Sequence, residues 1–180
     1  MRCFVGLPLP EDLTDRLEEI AGGLRVGRAV PAENMHLTLA FLDDQPEAAL
    51  DALHEELEGM RATAPRIRLE GLDLFGGDKP RVLFAAVAQD AALSELRRTV
   101  RGAARAAGIE LPHERFRPHV TLVRFSRFAP GERDALDRLM ARHAGFVWPA
   151  FRAAEMALMQ SVLTHEGAVY EALARYPLAP

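Results

Sequence analysis

Two strings constrain this 180-residue chain more than any other feature: His36-Leu37-Thr38-Leu39-Ala40-Phe41-Leu42 and His119-Val120-Thr121-Leu122-Val123-Arg124-Phe125. Both are short, apolar and punctuated by β-branched residues, which reads as strand. Alternation along a strand puts residues i and i+2 on one face. His36 therefore shares a face with Thr38, and His119 with Thr121, while Leu37, Leu39, Val120 and Leu122 collect on the other face. Each strand offers one side to a core and one to a site. A His-x-Thr-x pattern repeated on two such strands also predicts that the chain around it is duplicated.

The surrounding elements follow that prediction. Leu13, Leu17, Ile20 and Leu24 recur at helical spacing behind Pro10-Glu11-Asp12, whose acidic residues suit a helix N-terminus. Leu50, Leu53, Leu57 and Met60 form a second stripe behind Pro46. Leu93, Leu96, Val100 and Ala104 form a third that Gly108 can close, and Leu136, Leu139 and Met140 a fourth after Pro130-Gly131. Strands are expected at 2–8, 36–42, 66–75, 81–88, 118–125, 151–161 and 167–176. The order strand, helix, strand, helix, strand thus occurs twice, giving one domain over 1–180 with pseudo-repeats at about 2–75 and 81–176. Gly76-Gly77-Asp78-Lys79-Pro80 reads as the turn joining them.

Composition removes several function classes. The net charge of −4 argues against wrapping long nucleic acid by phosphate neutralisation, yet leaves room for a single terminal phosphate or nucleotide. Arg115-Phe116-Arg117 runs into the second motif and can raise the local potential for an anion, whereas Arg97, Arg98, Arg101 and Arg105 read as a solvated helix face. The one cysteine, Cys3, lies in an apolar strand and reads as core, so thiolate metal clusters are excluded. No apolar run nears a membrane span and no secretory signal is visible, so a cytoplasmic location is expected. Phosphate-loop, dinucleotide, Ca²⁺-loop and zinc-protease strings are all missing.

Two imidazoles suit attack at phosphorus. One can take a proton from water while the other gives a proton to the departing alkoxide, on opposite sides of the phosphate. The threonine hydroxyls can donate to non-bridging oxygens. Of the other histidines, His54, His143 and His165 are expected to be exposed or capping, and His113 lies in a loop ahead of His119.

The two motif strings, with the opening Arg2-Cys3-Phe4-Val5-Gly6-Leu7-Pro8, the central Pro80-Arg81-Val82-Leu83-Phe84 and the closing Gly167-Ala168-Val169-Tyr170-Glu171, resemble the 2H phosphoesterase superfamily. Within it, the likeness is to the RNA 2′,3′-cyclic phosphodiesterase branch, also described as 2′-5′ RNA ligase-like. The resemblance implies a bilobal α+β fold, two pseudo-symmetric lobes each with an antiparallel sheet and flanking helices around a central cleft. It implies hydrolysis of RNA 2′,3′-cyclic phosphate ends to a 2′-phosphate and 3′-hydroxyl, with 2′-5′ joining as the reverse. His36 would be the proton donor and His119 the proton acceptor. Thr38 and Thr121 would hold the phosphate, and Phe41 and Arg124 would sandwich the terminal base. No cofactor, metal or membrane is implied, the partner is an RNA end or a nucleotide, and a monomer is expected. An ideal strand points position +5 away from its histidine, so Phe41 and Arg124 reach the cleft only where the strand bulges, twists or ends. Asp43-Asp44 stand where the family commonly has glycine, which bears on substrate range. Two other readings stay open: action on a small cyclic nucleotide or ADP-ribose cyclic phosphate, and RNA-end binding without turnover.

Overall fold

The computed structural model describes residues 1–165 and 167–180, with the Pro130 side chain also outside the description; Glu166, in the polar turn around His165, therefore lies outside the described residues. Strands are β1 (Arg2–Pro8), β2 (Arg28–Ala29), β3 (His36–Asp44), β4 (Arg66–Phe75), β5 (Val82–Val87), β6 (His119–Arg124), β7 (Val147–Arg152), β8 (Glu155–Thr164) and β9 (Gly167–Pro177). Helices are α1 (Glu11–Gly22), α2 (Glu47–Glu58), α3 (Ala91–Ala106) and α4 (Arg133–Arg142). The class is α+β, as expected. The apolar stripes read from the sequence are buried in all four helices: Leu13, Leu17 and Ile20, then Leu50, Leu53 and Leu57, then Leu93, Leu96 and Val100, then Leu136 and Leu139. Gly108 ends α3 with φ +79; its N–H donates to the Arg105 carbonyl and that of Ile109 to Ala104, the paired bonds of a left-handed cap.

The strands follow the order β7-β4-β5-β6-β3-β1-β8-β9, with β2 added on β6, and neighbours run antiparallel. The centre of that order is a seam. β3 and β6 pair there through Leu37 opposite Val120, while β6-β5-β4-β7 and β3-β1-β8-β9 form more extensively bonded half-sheets on either side. The halves do not coincide with the halves of the sequence. β4 crosses to pair with β5, and β8 crosses back to pair with β1. The helices cross as well: α1 packs on β6 and α3 on β3.

One expectation needs correction. The single strand read over 151–161 is two strands, β7 and β8, broken at Ala153-Ala154. The chain leaves the outer edge beside β4 and re-enters the opposite half beside β1, and the Ala153 N–H donates to the Pro65 carbonyl at the break. Pro149 fits because β7 is an edge strand that can spare an N–H. The break was masked because Phe151 and the buried Met156-Ala157-Leu158 run read as one apolar segment.

Register at the seam is fixed by burial. Leu37 and Val120 are fully buried, each worth roughly 1.5–3 kcal/mol against exposure. A slip of one residue would trade them for His36 and His119.

Candidate active site

Residues directly opposed in an antiparallel pair share a face. With Leu37 opposite Val120 turned into the core, continuing the register places His36 across from Thr121 and Thr38 across from His119 on the other face. Opposed Cβ atoms in such a pair lie about 4.5–5.5 Å apart and diagonal ones about 7–8 Å, so the two imidazoles occupy a diagonal with room for a small group between them.

Each ring is oriented in the same way. Nδ1 of His36 donates to the Asn34 carbonyl (2.8 Å) and Nδ1 of His119 to the Arg117 carbonyl (2.7 Å), in both cases two residues upstream. A carbonyl can only accept, so the proton sits on Nδ1 of the neutral ring, which leaves Nε2 free for chemistry. Aromatic walls hold each plane. His36 stacks on Phe4 (4.3 Å) and meets Tyr170 edge-on (5.1 Å); His119 lies against Phe75 (4.9 Å) and Phe84 (5.2 Å). Gly6 leaves space for the first of these stacks, since a Cβ there would come within 3.4 Å of both the His36 and Phe4 rings and 3.1 Å of the Leu37 carbonyl.

Burial pushes the His36 imidazole down to about 4, against the pull of the Asn34 carbonyl, and the charges of Arg124 and His119 depress it further. His119 is also held below its usual range, by burial first, against the Arg117 carbonyl, with Arg124 and Arg117 adding to the depression. Both rings are thus neutral near pH 7. Arg124 bears on both, which marks the point where the two halves converge.

Phe41 and Arg124 reach this face by a matched irregularity. Along β3 the register steps from Gly6 opposite Thr38 to Val5 opposite Ala40; along β6 it steps from Phe84 opposite Thr121 to Leu83 opposite Val123. Leu39 and Leu122 are the extra residues. In each strand two consecutive side chains are buried, Leu39-Ala40 and Leu122-Val123, and the alternation then resumes with its phase reversed. Phe41 and Arg124 emerge exposed, 51% in the case of Phe41, and both line one cavity of about 610 Å³ with Phe4, Asn34 and Tyr170.

The remaining expectations divide. Arg117 pairs with Asp73 (3.1 Å) and lies over the Phe75 ring (4.7 Å), so part of its charge is already answered. Arg97 lies over Phe116 (4.6 Å) and is not simply solvated. His143 ends α4. His54, expected exposed or capping, instead bonds the Tyr176 hydroxyl through Nδ1 (2.9 Å) with Glu58 near its other nitrogen (3.5 Å), a tie between α2 and β9. His113 does not line the cavity. Asn34, Phe4 and Tyr170 carry no sequence signal for their roles, because their approach to His36 is set by strand pairing and by the Asn34 side chain donating to the Ala168 carbonyl (2.7 Å). Among the described residues no group of three or more His, Cys, Asp or Glu is placed to hold a metal ion, and no helix is long and apolar enough to cross a membrane.

Two antiparallel half-sheets meeting at paired His-x-Thr-x strands define the class, and the chain belongs to the 2′-5′ RNA ligase superfamily, whose family model matches residues 8–163. It is similar to the RNA 2′,3′-cyclic phosphodiesterase of Thermus thermophilus, 32% identical with 99% of this chain and 90% of the relative covered. A second relative of that name, from Geobacillus stearothermophilus, is 32% identical over 97% of this chain, which spans only 56% of that relative's length. Among solved structures, the crystal structure of TT0787 of Thermus thermophilus matches with a TM-score of 0.81 at 29% identity, covering 99% of this chain and 98% of the other.

Proposed function

We propose that this chain hydrolyses RNA 2′,3′-cyclic phosphate ends to a 2′-phosphate and a 3′-hydroxyl, using His119 as the base and His36 as the acid. Water attacks phosphorus as Nε2 of His119 takes its proton; the P–O3′ bond breaks as Nε2–H of the His36 imidazolium protonates O3′. Thr38 and Thr121 donate to the non-bridging oxygens, where charge builds in the transition state. Phe41 and Arg124 stack the terminal base. The single observation that carries this reading is the diagonal pair of imidazoles whose Nδ1 protons are both committed to carbonyls two residues upstream, leaving two Nε2 atoms for one substrate. The names of the relatives supply the substrate class.

Burial keeps His36 uncharged in the free protein, so the acid must be loaded as substrate arrives. An anionic phosphate beside Nε2 favours the imidazolium, and the Asn34 carbonyl already accepts its other proton. The proton transfers need no metal. With a 5′-hydroxyl in place of water as the nucleophile, the same site would break P–O3′ and join the two ends as a 2′-5′ linkage.

The reading is tested by incubating the protein, with EDTA, with an oligonucleotide ending in a 2′,3′-cyclic phosphate and separating the products. The 2′-phosphate isomer is expected. The 3′-phosphate isomer, or no turnover, would contradict the proposal. A second reading is action on a small cyclic nucleotide or ADP-ribose cyclic phosphate, since the cavity beside Phe41 and Arg124, which neither histidine lines, is of small-molecule size; relative rates on a nucleoside cyclic phosphate and an oligonucleotide decide between the two.

A further inference from the structure

The cavity of Phe41 and Arg124 is lined by two more arginines, Arg2 at the start of β1 and Arg28 on β2, and among the described residues no carboxylate lines it. Three guanidinium groups around about 610 Å³ in a chain of net charge −4 make a strongly positive spot on an otherwise acidic molecule. Their placement is costly without an occupant. Arg28 sits directly opposite Arg124 in the β2–β6 pair, and like charges so opposed destabilise a sheet.

Among the described residues neither rim arginine has a close carboxylate partner. Arg2 approaches Asp43 at 3.7 Å with both side chains largely exposed, a loose pair that leaves the guanidinium able to turn. Arg28 is exposed, and its guanidinium lies against Gly167. Its guanidinium occupies the space where a side chain at position 167 would stand, since a Cβ on Gly167 would lie 1.7 Å from Nη2, and Gly167 holds φ +134. The β8–β9 hairpin thus leaves room for the Arg28 guanidinium as it stands, and the positive φ at position 167 favours glycine there.

The order along the cleft is set by register. His36 lies across from Pro8, Phe41 across from Phe4, and Arg2 beyond them at the Asp44 position. With the reacting phosphate at the histidines and its base against Phe41 and Arg124, Arg2 stands past the terminal nucleotide and Arg28 flanks it across from Arg124. From there the strand can continue only by way of its 5′ phosphate.

We infer that Arg2 and Arg28 hold the phosphodiester on the 5′ side of the terminal nucleotide, so that the cavity selects RNA ends over free nucleoside cyclic phosphates; this rests on the function proposed above. A guanidinium fork matches two phosphate oxygens, and a nucleoside cyclic phosphate has no second phosphate to offer.

The test compares adenosine 2′,3′-cyclic phosphate with a short oligonucleotide ending in adenosine 2′,3′-cyclic phosphate. In the unaltered protein kcat/KM favours the oligonucleotide, and its logarithm falls more steeply with the logarithm of salt, by about 0.7 for each phosphate held. Arg2→Gln and Arg28→Gln each lower the oligonucleotide-to-nucleoside ratio about fivefold or more, through KM, and flatten the salt slope. An unchanged ratio in both variants overturns the inference. Should either variant fold poorly, equal salt slopes for the two substrates in the unaltered protein overturn it as well. Anisotropy binding of the oligonucleotide 2′-phosphate separates this inference from the reaction: arginine-dependent binding without turnover sinks the proposed chemistry and supports the strand site, and turnover with arginine-independent binding does the reverse.

Discussion

The proton balance of His36 gives a prediction that can be worked through. An imidazole that titrates at 6.5 in the unfolded chain and at about 4 in the fold is protonated more readily when the chain unfolds, so its neutral form stabilises the native state. That contribution is fully present above pH 6.5 and is lost as pH falls toward 4, where the folded ring also takes its proton. The difference corresponds to about 3 kcal/mol, a sizeable share of the roughly 5–15 kcal/mol typical of a domain. His36→Gln removes the titration and keeps a polar side chain of similar reach. Urea unfolding between pH 7 and pH 4 should therefore show the native protein losing about 3 kcal/mol more than the His36→Gln variant. Imidazole NMR supplies the direct check, with His36 still neutral at pH 5.5 in the free protein and moving toward the charged form when a nucleoside 2′-phosphate is added. A His36 ring that titrates at 6 or above in the free protein, or equal pH slopes in the two proteins, would refute the reasoning.

Three more outcomes follow from the same geometry. With Thr38 and Thr121 as the proposed donors to the phosphate oxygens, Thr38→Val and Thr121→Val should each lower kcat by about 10²–10³ with a smaller change in KM; steady-state kinetics decides, and a pure KM effect would move the threonines out of the transition state. If Phe41 and Arg124 stack the terminal base as proposed, Phe41→Ala and Arg124→Ala each remove about 1–3 kcal/mol and should raise KM about tenfold; an unchanged KM would show that the exposed faces beyond the bulges do not meet the base. Leu37→Ala opens a cavity under the seam and should cost about 2–5 kcal/mol in urea unfolding, whereas a loss below 1 kcal/mol would mean that the halves do not depend on this contact.

Much of the site was legible because its residues lie on strands with strong period-two patterning. His36 with Thr38, and His119 with Thr121, could be put on common faces from alternation alone, and the apolar stripes placed the four helices. The condition on Phe41 and Arg124 was also readable: they needed a bulge. Which residue bulges was not, because Leu39 and Leu122 look like ordinary core leucines until the register against β1 and β5 is known. The exchange of β4 and β8 between half-sheets was hidden for a related reason, since strand pairing at long range leaves no local trace. Asn34, Phe4 and Tyr170 shape His36 through backbone placement and ring contact, and nothing in their spacing announces it.

The central claim is that two imidazoles serve one phosphorus atom from opposite sides. Its most direct measurement is turnover of a cyclic-phosphate-ended oligonucleotide by His36→Ala, His119→Ala and the double variant. Each single variant should lose about 10²–10⁴ in kcat, and the double variant should fall well short of the product of those losses. Full activity in either single variant would contradict the account.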